Sequence, residues 1–184
     1  MQNNNPFKTL STKVVYQNPW MTVEENEIIH PDTGKGIYGV VKTKDSVTIV
    51  PVNDQGEIFM IRSFSYPAQK WHWELPAGGI ENDDYITASK RELYEEAGIK
   101  AESWQQIGLA RPMDGLMPER MAALLATSLT ISEVPDADDN HLISDRQFFD
   151  LPTVRKMVQE GGIDEGQSLS ALYYYELWLK KEEK

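Results

Sequence analysis

The period of this sequence changes between Asp83 and Gly98, and that change limits the possible folds more than any other feature. From Lys13 to Leu75, β-favouring residues alternate between turn signals: VVYQ, MTVEENEIIH, the turn Pro31-Asp32-Thr33-Gly34, then GIYGVVKT. SVTIVPV, the turn Asn53-Asp54-Gln55-Gly56 and EIFMIRSF follow, and each pair of runs reads as a hairpin. Residues 83–97 then switch to helical spacing. Asp83 or Asp84 can cap the first turn, Ile86, Leu93 and Ala97 form one apolar stripe, and Gly98 stands where a glycine ends a helix.

Beyond the helix, SWQQIGLARP and MAALLATSLT read as strands, VRKMVQEG as a short helix and SLSALYYYELWLKK as a terminal amphipathic helix. The polar, Asp- and Pro-rich stretch between Leu129 and Gln147 reads as a loop. This order predicts an α+β fold, a mixed sheet flanked by helices. At 184 residues the chain can bury one good core.

With 29 acidic and 18 basic residues, the net charge of −11 repels nucleic-acid backbones and anionic membranes. A nucleic-acid polymer or a membrane is therefore not expected as a partner. No apolar run approaches the length of a bilayer span, and MQNNNPFKTL lacks the order of a signal peptide, so a cytoplasmic location is expected. The chain has no cysteine, which excludes disulfides, thiolate catalysis and thiolate metal sites. Any metal must then be bound through hard oxygen ligands.

The helix carries Glu92, Glu95 and Glu96, which share one arc at about 100° of turn per residue, well round from the apolar stripe. Like charges three and four residues apart cost a helix roughly 0.2–0.5 kcal/mol per pair, a cost that a cation would remove. Upstream, Pro76, Gly78 and Gly79 in WELPAGGI form a tight turn whose backbone can approach a ligand or ion. Arg91 can pair with an acid of that loop and hold it to the helix. Oxygen-only ligands select Mg²⁺, with Mn²⁺ as the alternative, and the implied chemistry is attack of a metal-activated water on a phosphoanhydride.

The string GGIENDDYITASKRELYEEAGI resembles the box of the Nudix hydrolase family, G-x5-E-x7-R-E-(apolar)-x-E-E-x-G-(apolar). Arg91 to Ile99 match at every specified position. The loop half departs from the pattern: counted from Gly78, the first acid is Asp84 rather than Glu and the spacing to Arg91 is one residue short. Counted back from Arg91, the acid position is Asp83 and the glycine position is Ala77. The resemblance implies a Nudix-type mixed sheet sandwiched between helices, with metal ligands Glu92, Glu95, Glu96 and the Ala77 carbonyl, and a catalytic group of Arg91, Glu92, Glu95 and Glu96.

WELPAGG, the two preceding hairpins and GGIDEGQSLSAL are similar to the ADP-ribose and nucleoside-diphosphate-sugar pyrophosphatase branch of that family. The branch implies a homodimer and a domain division into an N-terminal β extension, 1–44, that dimerises, and a hydrolase domain, 45–184. It also implies a Mg²⁺-dependent split of a nucleoside diphosphate sugar into a nucleoside monophosphate and a sugar phosphate. The branch's diphosphate-holding arginine is Ser65 here, so Arg62, Arg111 or Arg120 is expected to substitute. Trp73 is placed to stack on a base or ribose, Glu74 and Glu119 complete the substrate-binding set, and Asp139 of the late loop is the expected general base. The alternatives are a nucleoside triphosphate or dinucleotide polyphosphate hydrolase on the same helix, and a non-catalytic nucleotide-sugar sensor.

Overall fold

The structure is a computed structural model, and it describes residues 5–134 and 142–182. The chain divides into two compact units. The first runs to Lys44 and takes in Met113–Glu119; the second comprises Asp45–Pro112 and the chain from Arg120 onward.

The first unit is built on an antiparallel sheet of β1 (Lys8–Gln17), β2 (Thr22–His30) and β3 (Gly34–Lys42), in that spatial order. The Pro31–Gly34 turn closes the β2–β3 hairpin with His30 opposite Gly34, as the turn residues predict. Lys42 pairs with Glu24 at 2.6 Å across the same two strands.

The second unit holds β4 (Ser46–Pro51), β5 (Ile58–Ser65), β6 (Lys70–Glu74), β7 (Ala77–Gly79), α1 (Tyr85–Ala97), β8 (Ile99–Ala110), β9 (Met121–Ile131), β10 (Ile143–Phe149), α2 (Leu151–Gln159) and α3 (Gly166–Glu182). One sheet has the order β7-β4-β9-β8 and the other β10-β5-β6. Among the described residues only β4 and β9 run parallel; the other ladders are antiparallel. The second expected hairpin is thereby corrected. Asn53–Gly56 does turn the chain, but a single bridge joins Val52 to Ile58, and β4 and β5 then enter different sheets. β4 is buried along its whole length because β7 and β9 flank it, so it takes a central place.

The two-residue period divides the core into layers. Val50, Val52, Met60, Met121, Ala123 and Leu125 turn to one side, where they meet Val154 of α2 and Ala171, Leu172 and Tyr175 of α3. Val47, Ile49, Phe59, Ile61, Ala122 and Leu124 turn to the other, where Ala88, Leu93 and Ala97 of α1 cover them. The result is the predicted α+β arrangement, strands between helices. The late loop is shorter than its composition implied, because β10 begins at Ile143 and pairs with β5. No helix among the described residues is long and apolar enough to cross a membrane.

α1 starts at the N-cap Asp84, whose side chain accepts from the Ile86 and Thr87 amides, both at 2.9 Å. Those bonds, with the Thr87 backbone bond the strongest, hold the Asp84 carboxyl below the usual carboxylate range. Gly98 ends the helix at φ 66°, and a Cβ there would stand 2.7 Å from the Ser132 carbonyl oxygen. Gly98→Ala is expected to lower stability by about 1–2 kcal/mol from the left-handed backbone alone, with the clash added, while α1 still forms. Urea unfolding followed by circular dichroism measures the loss, and an unchanged midpoint would refute this account of the helix end.

Candidate active site

The buried face of α1 comprises Ala88, Ser89, Glu92, Leu93, Glu96 and Ala97. Two of the three glutamates therefore lie within the packed half of the helix, rather than well round from the apolar stripe as expected. Ile86 of the expected stripe is 39% exposed, because it sits in the first turn, while Ala88 and Ser89 take the inward positions. Glu95 stays at the edge of the arc, half-exposed.

Glu92 and Glu96 face β7 and the turn before it. The Glu96 carboxylate accepts from the Ala77 amide at 3.0 Å, fixing the helix to the first residue of β7. Glu92 lies against Gly78, so closely that a Cβ on residue 78 would come within 2.0 Å of its carboxyl carbon. The space for this carboxylate exists only because residue 78 has no side chain. β7 is itself pinned to β4 by the pairs Thr48–Ala77 and Val47–Gly78.

Arg91 closes the cluster. Its guanidinium donates to the Gly79 carbonyl at 3.1 Å and reaches Glu92 at 2.8 Å and Glu95 at 3.0 Å. Partial burial works against its charge, but the Glu92 and Glu95 carboxylates outweigh it and raise its pKa. The loop is held to Arg91 through the Gly79 carbonyl, and Asp84 at the end of that loop caps the helix.

Burial pushes Glu92 up to about 7, with the neighbouring Glu96 and Glu95 charges adding to it and Arg91 opposing. A hard divalent cation suits this donor set, since oxygen ligands alone are present and a cation offsets the cost of keeping Glu92 ionised in a buried space. Among the described residues, no three His, Cys, Asp or Glu side chains are already gathered as a metal cluster. The carboxylates are instead committed to Arg91 and to the Ala77 amide.

Glu74, on β6, faces the α1 side with Ile61, its partner on β5. It accepts a short hydrogen bond from the Ser63 hydroxyl and pairs with His72 at 3.1 Å. His72 in turn reaches Asp164, at the approach to α3, at 3.3 Å. Burial raises the Glu74 pKa, Ser63 and His72 oppose, and the charges of Glu96 and Glu165 add to the rise. Ser63 and His72 were not singled out from the sequence. The signal for them was the alternation Trp71-His72-Trp73, which sends His72 to the opposite face from both tryptophans.

The same alternation separates Arg62 and Trp73 from the acidic helix. They pair across β5 and β6 on the α3 side, where Trp73 packs edge-on to Phe149 at 4.9 Å. Arg62 lies over the Trp71 ring at 5.7 Å and reaches Asp145 at 3.4 Å. Arg111 is exposed just beyond β8, and Glu119 belongs to the segment that groups with the first unit. Asp139 lies outside the described residues. The structure thus gathers Arg91, Glu92, Glu95, Glu96 and Ala77, with Glu74 on the same side of the sheet. Arg146 was also missed, since nothing local marks a residue of β10 that donates to the Glu96 carbonyl at 2.6 Å.

Residues 42–171 match the NUDIX domain family, and residues 7–41 match the nucleoside diphosphate sugar hydrolase N-terminal domain. The chain is 26% identical over 160 residues to the ADP-ribose pyrophosphatase of Mycobacterium tuberculosis, covering 85% of this chain and 77% of that one. It is 23% identical over 171 residues to the ADP-ribose pyrophosphatase of Bacillus subtilis, covering 92% of each. A crystal structure of an ADP compounds hydrolase superposes with a TM-score of 0.83 at 20% identity, over 97% of this chain and 96% of that one.

Two outcomes are expected from this geometry. Gly78→Ala displaces the Glu92 carboxylate and abolishes most divalent-cation binding measured by calorimetry, and wild-type cation affinity would refute the role of the glycine. In EDTA, the stability of the protein falls as pH rises from 4.5 to about 7, because folded Glu92 holds a proton that the unfolded chain releases near 4.5. Glu92→Gln removes most of that slope in urea unfolding, and a slope that persists unchanged assigns it to other groups.

Proposed function

The chain belongs to the Nudix hydrolase family, and on that premise we propose that it is a pyrophosphohydrolase that cleaves the phosphoanhydride of ADP-ribose or a related nucleoside diphosphate sugar. The products are a nucleoside monophosphate and a sugar phosphate. One observation carries this reading: Glu92 is buried in the space that Gly78 leaves open, beside Glu96 and Glu95 on one helix arc. The match of residues 7–41 to the sugar hydrolase N-terminal domain, and the names of the two relatives, support the substrate class.

Glu92, Glu95, Glu96 and the Ala77 carbonyl would hold Mg²⁺ or Mn²⁺. Bound there, the cation supplies charge neutralisation of the diphosphate and Lewis-acid activation. Glu96 keeps the Ala77 peptide in place through its amide, and Arg91 keeps the Gly79 carbonyl against the helix, so both sides of the turn are held to α1. Arg91 also counters the repulsion between Glu92 and Glu95. Glu74, steadied by Ser63 and His72, and the exposed Arg111 are offered to the substrate, with Glu119. Asp139 is assigned as general base.

The first unit supports a homodimer: Leu10, Val14, Val15, Tyr16 and Ile37 are exposed large apolar residues on β1 and β3. A cytoplasmic location accords with a chain that has no cysteine.

Product analysis over a panel of nucleotide sugars, triphosphates and dinucleotide polyphosphates with Mg²⁺ or Mn²⁺ is the test. ADP-ribose is expected to give AMP and ribose 5-phosphate, and Glu96→Gln to lose at least about 100-fold in kcat with the fold intact. Release of pyrophosphate from triphosphates, with the sugars untouched, would replace the sugar assignment. Near wild-type turnover by Glu96→Gln would remove the acidic helix from the mechanism.

A further inference from the structure

The outer face of α1 borders a cleft of about 470 Å³, on the other side of the helix from the buried carboxylates. Its lining includes Lys90, Arg91, Tyr94, Lys100 and Trp104. The left-handed backbone of Gly98 turns the chain directly from α1 into β8, bringing Lys100 and Trp104 back beside the last turns of the helix. The Lys100 ammonium stands over the Tyr94 ring at 4.9 Å. Trp104 is fixed by the bond from its indole N–H to the Ala101 carbonyl at 3.0 Å, which leaves a rigid aromatic wall. In a chain of net charge −11, two lysines and an arginine converge here on two aromatic rings, with Glu95 as the acid among them. A volume in the small-ligand range, aromatic walls and convergent cations are what a planar aromatic anion requires.

We propose that this cleft is a second ligand site, for an anion of the nucleoside 5′-monophosphate class, coupled to the buried carboxylates through Arg91. The lysines meet the phosphate and the rings meet the base. Arg91 belongs to both sites, lining the cleft while bonded to Glu92 and Glu95. A cation on those carboxylates releases guanidinium donors to the cleft, and a phosphate that draws Arg91 outward leaves the carboxylates more negative. Metal and anion therefore strengthen each other, and by linkage they do so equally. The coupling, though not the site itself, rests on the reading of Glu92, Glu95 and Glu96 as metal-holding residues; the product of the proposed reaction would then act back on the enzyme.

Calorimetric titration of AMP into the full chain in EDTA decides the site. Wild type and Glu96→Gln are expected to bind AMP alike. The double variant K90E/K100E is expected to bind at least about tenfold more weakly, and inorganic phosphate at least about tenfold more weakly than AMP. Turnover by K90E/K100E without added AMP is expected to stay within about twofold of wild type, since both lysines are exposed and neither belongs to the metal-holding or substrate-binding set. Adding Mg²⁺ is expected to tighten AMP binding to wild type severalfold and to leave K90E/K100E unaffected. Absent AMP binding, an unchanged affinity in K90E/K100E, or phosphate binding as well as AMP would overturn the proposal. Loss of only the Mg²⁺ effect would overturn the coupling. A chain that hydrolyses no member of the substrate panel would defeat the hydrolase reading, while the EDTA titration would still decide the cleft.

Discussion

A missing Cβ governs the centre of this molecule. Glu92 occupies the volume that a side chain on residue 78 would need, so the backbone of β7 and the carboxylate of α1 meet at a distance only glycine allows. Their separation fixes the rest: β7 must be pinned to β4, α1 must be capped at both ends, and the turn before β7 must be tied to the helix. Each of those ties is present, and each is made by a different residue. The same closeness keeps water from Glu92, which raises its pKa and makes the site want a cation. Geometry and electrostatics at the site therefore have one origin.

Arg91 balances that arrangement. Without a divalent cation it is the counter-charge for Glu92 and Glu95, and its bond to the Gly79 carbonyl holds the loop whether or not the carboxylates are otherwise engaged. A guanidinium suits this task because it has several donors in a fixed plane, where a lysine would offer one charge at one point. The arginine can give up the carboxylates and keep the carbonyl.

How much of this was legible in the sequence follows from which interactions are local. The helix, its caps and its acidic arc repeat within a few residues, so Asp84, Gly98, Glu92, Glu95 and Glu96 could be named. The inward turn of Glu92 and Glu96 could not, because it depends on β7 being placed by β4 rather than on the helix itself. The Asn53–Gly56 turn was legible, but the split of β4 and β5 into separate sheets depends on the parallel pairing of β4 with β9, more than seventy residues downstream. Arg146 and Asp164 were invisible for the same reason, since each meets its partner only after the strands are in register.

The alternation of β5 and β6 carries the argument about substrate further than the motif does. Residues directly opposite in an antiparallel pair share a face, so Ile61 with Glu74 and Ser63 with His72 lie on the side of α1, and Arg62 with Trp73 and Phe64 with Trp71 lie on the other. A one-residue slip would exchange the two sets, and the packing of Trp73 against Phe149 in the α3 layer opposes such a slip. The arginine nearest in sequence to the Ser65 position is thus committed to Asp145 and Trp71 on the far face. A diphosphate held against the acidic helix must draw its positive charge from a divalent cation, from Arg91, or from a residue other than Arg62, and not from the arginine that the sequence first suggested.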